Sequence, residues 1–138
     1  MNASILALTG FIAWTIFLLV WLGSYRLSMV MRRQKAPNSF KADGTDVTDF
    51  GYRLTRAYSN CVESFAFIGG ALLLALATSS ASITDPLALW LLAARLGQSV
   101  THLISISNRA VQIRFAFFIA QVAIVLVWVF QFYQQFGG

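Results

Sequence analysis

Four long apolar stretches, separated by shorter polar segments, dominate the hydrophobicity pattern of the chain. They run from about Ile5 to Met31, from Tyr52 to Thr78, from Leu87 to Ile106 and from Val111 to Tyr133. Each has the roughly 20 residues that a helix needs to cross the hydrocarbon core of a bilayer. Runs such as FLLVWL and AIVLVWVF do not alternate as the strands of a membrane barrel do. The pattern therefore predicts an all-α membrane protein, a bundle of four transmembrane helices.

The composition fits this prediction and excludes an ordinary soluble domain. The 138 residues are 58% hydrophobic and only 11% charged, and long apolar runs of this kind are typical of membrane spans. The length allows a single domain over residues 1–138. Because no basic segment precedes the first stretch, we expect it to be a retained span rather than a cleaved signal. The one cysteine, Cys61, is interpreted as a small packing residue.

The basic residues indicate the topology. The net charge of +5 would suggest nucleic-acid binding in a soluble protein, but here we expect no nucleic-acid partner, because most of the charge flanks the first and third loops. These basic residues are Arg26, Arg32, Arg33, Lys35, Lys41, Arg53, Arg56, Arg109 and Arg114. The positive-inside rule then places loops one and three in the cytoplasm and both termini outside. At the start of span three, Asp85 is predicted as the N-cap and Pro86 as the first helical residue.

Polar side chains recur at helical spacing inside the spans, and all lie in the half of the membrane next to loops one and three. Span two carries Arg53, Arg56, Asn60 and Glu63, span three carries Arg95, Gln98 and His102, and span four carries Arg114. Steps of three and four residues keep side chains on one face of a helix. An ionisable group at this depth is costly unless it is paired or faces a cavity. The surplus of arginine over the single carboxylate therefore predicts a pocket for an anionic ligand.

Other interpretations of the same residues remain open at this point. Arg53 and Arg56 can reach the headgroups by extending their side chains along the helix. Glu63 can be a structural partner of Arg95 or Arg56. A different class of function, a small proton-coupled transporter that uses Glu63, is a further alternative.

The segment from Arg53 to Glu63, RLTRAYSNCVE, resembles the MAPEG family, the membrane-associated proteins in eicosanoid and glutathione metabolism. The length, the four spans, the basic first loop, Arg95 and Arg114 are similar to the family pattern. The resemblance implies a homotrimer of four-helix subunits that binds glutathione between neighbouring subunits near the cytosolic side. It also implies a lipophilic small-molecule substrate drawn from the surrounding membrane lipid.

The resemblance also implies roles for particular residues. Arg56, Asn60 and Glu63 would contact glutathione, with Glu63 near its α-amino group. The glutathione-binding set expected from the resemblance is Arg32, Arg33, Arg53, Arg56, Asn60, Glu63, Arg95, Gln98 and His102. Within it Arg53 would lie at the rim, Arg95 would support the pocket, and either Arg32 or Arg33 would hold a carboxylate. Arg114 would be the catalytic residue, because a neighbouring guanidinium lowers the pKa of a thiol and so stabilises the thiolate of glutathione.

Three residues depart from the prostaglandin and leukotriene branch of that family. Gln98 and His102 stand where that branch has tyrosines, and Phe115 follows Arg114 where some members have a serine. These departures argue against a specific prostaglandin or leukotriene synthase. We therefore predict a general glutathione transferase or peroxidase of the bacterial type, in the bacterial inner membrane rather than the endoplasmic reticulum. A non-catalytic, lipid-binding protein of the same fold is the alternative.

Overall fold

The computed structural model describes residues 2–137, and over this range the chain forms four helices. They are α1 (Ala3–Met31), α2 (Asp49–Ala77), α3 (Ala81–Ile104) and α4 (Asn108–Phe136). All four are long and apolar enough to cross a membrane. The predicted all-α architecture of four membrane-length helices is thereby confirmed.

Helix starts in this chain are set by side chains that accept free backbone N–H groups. The side chain of Asn2 accepts from Ile5 N at 2.8 Å at the start of α1. Thr48 and Ser107 do the same for α2 and α4. Such caps satisfy donors that have no partner within the helix.

The start of α3 differs from the prediction made from Asp85 and Pro86. The helix begins at Ala81, so Pro86 lies inside it and Asp85 is not its N-cap. The Asp85 carboxylate instead accepts from Ser4 N at 2.9 Å and from Ser4 Oγ at 2.5 Å. Because a carboxylate is stabilised by the N–H groups at a helix start, Asp85 caps the neighbouring helix α1. The N-terminal ends of two parallel helices, α1 and α3, are thus joined at the end of the bundle opposite loops one and three.

Helix α3 lies at the centre of the packing. It contacts each of the other three helices, whereas α4 packs mainly on α3 and meets α2 at few points. Within residues 2–137, the backbone of α4 does not come within 8 Å of the backbone of α1, measured between Cα atoms. The apolar core includes Phe11, Leu18, Leu54 and Trp128, all fully buried. The sparse α2–α4 seam leaves a groove between these two helices.

Loop one (residues 32–48) folds back onto the bundle and is held by a carboxylate. Asp46 forms an ion pair with Lys35 at 2.8 Å and accepts from Lys41 N at 3.1 Å. The hydrogen bond from Lys35 lowers the pKa of Asp46 below its ordinary value. Gly44 has a φ of +74°, and a Cβ there would lie 2.7 Å from Thr55, so this close approach to α2 requires glycine.

Candidate functional site

Polar side chains from α2, α3 and α4 line one open cavity of about 390 Å³ on the side of loops one and three. The lining residues are Arg56, Asn60, Glu63, Gln98, His102, Val111, Arg114, Phe115 and Phe118. The volume falls within the roughly 300–1,000 Å³ of small-molecule sites. Six of the ten residues predicted for the site are therefore brought together.

The α2 wall of the cavity presents Arg56, Asn60 and Glu63 along one stripe. Their separations of four and three residues place them on one face, and at 1.5 Å per residue the stripe is roughly 10 Å long. The Glu63 side chain is exposed in the chain. Over residues 2–137, the one ion pair is Lys35–Asp46, so Glu63 forms no ion pair with Arg95 or Arg56. Its carboxylate is open to a ligand.

Arg95 lies behind the cavity rather than in its wall. It is fully buried, its Nη1 donates to Asn60 Oδ1 and its Nη2 to Ser64 Oγ, both at 2.6 Å. Its guanidinium also lies 5.7 Å from the ring centroid of Phe11. Asn60 and Ser64 are one helical turn apart, which matches the two ends of a planar guanidinium fork. Because Arg95 occupies Oδ1 of Asn60, the Nδ2 donors of that amide are left for the cavity.

The α3–α4 wall contains buried polar groups with unused hydrogen-bonding capacity. Gln98 is 3% exposed and accepts from Gln121 Nε2 at 2.8 Å. His102 is 5% exposed. Within residues 2–137, His102 Nδ1 and Arg114 Nε are buried and have no partner. Buried polar atoms are nearly always hydrogen-bonded in native proteins, so these atoms indicate a place that a ligand or water completes.

Besides Arg95, three of the predicted residues do not line the cavity of the single chain. Arg53 Nε donates to Leu103 O at 2.9 Å and so satisfies a free carbonyl at the end of α3. Arg32 and Arg33 are exposed just beyond α1. Arg33 has a φ of +56°, which is the left-handed region that a residue other than glycine rarely adopts.

Three lining residues were not predicted for the site, namely Val111, Phe115 and Phe118, and Phe115 was noted only as the residue that follows Arg114. Val111 and Phe118 lie three residues before and four residues after Arg114, and both line the cavity. That spacing places them on the Arg114 face of span four. The signal was present, but apolar residues in a membrane helix do not stand out from those that face lipid.

The cavity thus holds two guanidinium groups, Arg56 and Arg114, and one unpaired carboxylate, Glu63. It lies within four membrane-length helices. These features define an integral, multi-pass membrane protein with a polar site that has an excess of positive charge.

A comparison with protein-family models identifies the family. The model of the MAPEG family matches residues 4–133, nearly the whole chain, so the protein belongs to the MAPEG family. Comparisons with curated proteins and with solved structures gave no significant match. Membership of this family points to glutathione-related transfer or to eicosanoid metabolism.

Proposed function

We propose that this protein is a membrane-embedded, glutathione-dependent transferase or peroxidase that acts on lipophilic electrophiles. The observation that carries the proposal is the convergence of Arg56, Asn60, Glu63 and Arg114 on one cavity of about 390 Å³. Glutathione has two carboxylates, one amine and one thiol. The cavity offers the guanidinium of Arg56 and the amide of Asn60 as donors, the unpaired carboxylate of Glu63, and the guanidinium of Arg114.

Each of these groups is assigned a part of glutathione. Arg56 and the Nδ2 donors of Asn60 bind a carboxylate, and Glu63 binds the α-amino group. His102 and Gln98 line the remaining wall beside Arg114. Arg114 lies next to the sulfur, where its Nε has no partner within residues 2–137.

The second carboxylate of glutathione is assigned to Arg32 or Arg33 of a neighbouring subunit in a homotrimer. Both side chains are exposed outside the cavity of their own chain. The positive φ of Arg33 belongs to the turn that ends α1, where Arg33 N donates to Val30 O and Gln34 N donates to Met29 O. Arg53, which is bonded to Leu103 O, supports the rim.

Arg114 stabilises the negative charge of the glutathione thiolate. A free thiol with a pKa of about 8.5 is only a few per cent thiolate at neutral pH, and a nearby cation increases that fraction. The thiolate forms a bond from sulfur to the electrophilic carbon, and the leaving group departs with the bonding electron pair. With a hydroperoxide, sulfur attacks oxygen and releases an alcohol, and a second glutathione then yields the disulfide and water.

An apolar groove provides a place for the lipophilic substrate. It has a volume of about 340 Å³ and is lined by Phe67, Phe118, Val122, Val125, Leu126 and Val129 of α2 and α4. Phe118 belongs both to this groove and to the polar cavity. A substrate dissolved in the bilayer would reach the sulfur along this groove.

The basic first and third loops support an orientation with both loops in the cytoplasm. In that orientation the cavity opens toward cytosolic glutathione, and the chain is assigned to the bacterial inner membrane.

The proposal is tested with purified protein in detergent. Glutathione at millimolar concentration should raise the melting temperature and support conjugation of chlorodinitrobenzene or reduction of cumene hydroperoxide. Arg114→Ala should retain the melting shift, because the carboxylate contacts remain, but lower the ultraviolet absorbance of bound thiolate and the turnover rate by about 10-fold or more. The control Arg109→Ala removes a neighbouring exposed cation outside this cavity and should change neither. Absence of any glutathione-dependent melting shift would overturn the proposal.

The unpaired Glu63 also supports a second candidate, a proton-coupled transporter for cations. Arg56 and Arg114 in the same cavity disfavour a cationic substrate. Proton-driven efflux from vesicles that is abolished by Glu63→Gln would favour this candidate. Glutathione binding without turnover of any electrophile would instead favour a non-catalytic, lipid-binding protein.

A further inference from the structure

Two glutamine side chains form a buried hydrogen-bonded pair between α3 and α4. Gln121 is fully buried and Gln98 is 3% exposed. Gln121 Nε2 donates to Gln98 Oε1 at 2.8 Å and to Phe117 O at 3.0 Å. Gln98 lines the polar cavity, whereas Gln121 lies behind it.

The hydrogen-bond partners determine which way both amides point. The carbonyl of Phe117 can only accept, so the group of Gln121 that faces it must be the Nε2 donor. An Nε2 group has two hydrogens, and the second is directed at Gln98. Gln98 must therefore present its oxygen to Gln121.

The remaining end of Gln98 is its Nε2 group. This group bonds to none of the residues 2–137 and is not among their enclosed, unpartnered polar atoms. It is therefore open to the cavity that Gln98 lines. The amide of Asn60 on the opposite wall also has its N–H donors free for the cavity, because its oxygen accepts a hydrogen bond from Arg95.

We propose that Gln121 is a positioning residue that holds Gln98 with its two N–H donors toward the ligand, so that Gln98 acts as a hydrogen-bond donor to an anionic atom of glutathione. This inference rests on the proposed function and adds a role for a residue outside the cavity wall. Gln98 and Asn60 then both present donors only, and the cavity selects a ligand rich in acceptors.

The unsatisfied oxygen of Gln121 supports a role beyond packing. Gln121 Oε1 is buried and has no partner within residues 2–137, which is destabilising. A leucine or methionine would fill the same space without this penalty. The two donated hydrogen bonds are what glutamine adds at this position.

A double-mutant cycle tests the inference. Gln121→Met keeps the length of the side chain and removes its donors, and Gln98→Met removes the group on which they act. Each single variant should weaken glutathione binding by about 3- to 10-fold, the loss expected for one net hydrogen bond, and Gln121→Met should add nothing in the Gln98→Met background. The matched control is Gln135→Met, since Gln135 Nε2 donates to Ser80 Oγ at 3.1 Å at the other end of α4. Gln135→Met should leave affinity unchanged.

Two results of the cycle would overturn the inference. One is an unchanged glutathione affinity for Gln121→Met. The other is an equal loss of affinity when Gln121→Met is introduced into the wild-type protein and into the Gln98→Met variant. The melting temperatures of the ligand-free proteins separate a loss of affinity from a loss of stability.

A second measurement does not depend on glutathione. In protein carrying isotope-labelled glutamine, the side-chain amide protons of Gln121 should be protected from exchange with water, while those of Gln98 exchange. Exchange at Gln121 with protection at Gln98 would refute the assigned orientation. If the wild-type protein binds no glutathione, the proposed function fails, while the exchange pattern still decides the orientation of the pair.

Discussion

Replacing Arg95 by methionine tests whether a fully buried cation stabilises the bundle and orients the cavity at the same time. The change removes two hydrogen bonds of 2.6 Å, one to Asn60 and one to Ser64. Hydrogen bonds between membrane helices contribute about 0.6 kcal/mol on average and about 1.7 kcal/mol at most. The two bonds together therefore predict a loss of about 1–3 kcal/mol in unfolding free energy, while glutathione affinity should fall because Asn60 becomes free to rotate.

Two control variants separate the effect on stability from the effect on glutathione affinity. Ser64→Ala removes one of the two bonds and leaves the bond to Asn60. It should lower stability by about half as much and leave glutathione affinity unchanged. Arg95→Lys keeps the charge but lacks the planar fork that spans two acceptors, so it should resemble Arg95→Met in affinity.

The assay is reversible unfolding in mixed detergent micelles, followed by tryptophan fluorescence, together with glutathione titration of the folded protein. Burying a charge is itself costly, and an apolar replacement of a buried ion sometimes stabilises a protein. An Arg95→Met variant that is as stable as wild type and binds glutathione equally well would therefore refute the reasoning. Equal losses of affinity for Arg95→Met and Ser64→Ala would also refute it, because the effect would then be one of general packing.

Three further predictions concern the ends of the helices and loop one. Asp85→Ala should lower the unfolding free energy by about 1 kcal/mol, the usual contribution of a helix cap. Hydrogen exchange should then increase at the start of α1. An increase at the start of α3 instead would mean that Asp85 caps α3. Arg33→Gly should raise stability by about 1 kcal/mol, since glycine adopts a positive φ without strain, while it weakens glutathione binding if this arginine serves a neighbouring site. The pKa of Asp46 is lowered by the hydrogen bond from Lys35, so the restraint on loop one is present above the unfolded pKa and lost as pH falls through the folded pKa. The protection factors of the loop-one amides, which correct for the slower intrinsic exchange at low pH, should therefore fall in acid, and Asp46→Asn should show the same fall at neutral pH.

The sequence indicated the helices and much of the site because both depend on local spacing. Arg56, Asn60 and Glu63 share a helix face whatever the rest of the bundle does, and the membrane excludes such groups from lipid. The prediction that Asp85 is the N-cap of α3 was wrong because the hydrogen-bond partner of Asp85 is distant in sequence. Its carboxylate is bonded to Ser4, 81 residues away in sequence, and the local Asp-Pro pattern carries no information on that partner.

Residues behind the cavity were the harder part to predict. The sequence placed Arg95 on the same stripe as Gln98, yet only the packed structure shows that one reaches Asn60 and Ser64 while the other lines the cavity. Side chains on one helical stripe differ in their reach and in the neighbouring helix that they meet. Spacing therefore predicts the face of a residue, and the contacts across the bundle decide its role.

The position of these supporting residues also bears on how the site achieves its selectivity. Arg95 and Gln121 are fully buried, and each bonds to the oxygen of an amide that lines the cavity. A freely rotating amide offers either a donor or an acceptor and would suit ligands of either kind. With both oxygens occupied, Asn60 and Gln98 offer donors only and join the guanidinium groups of the cavity. Under the proposed function, the buried residues thereby turn the donors of two amides toward an anionic part of the ligand, and Glu63 is the carboxylate of that wall that would bind a cationic group.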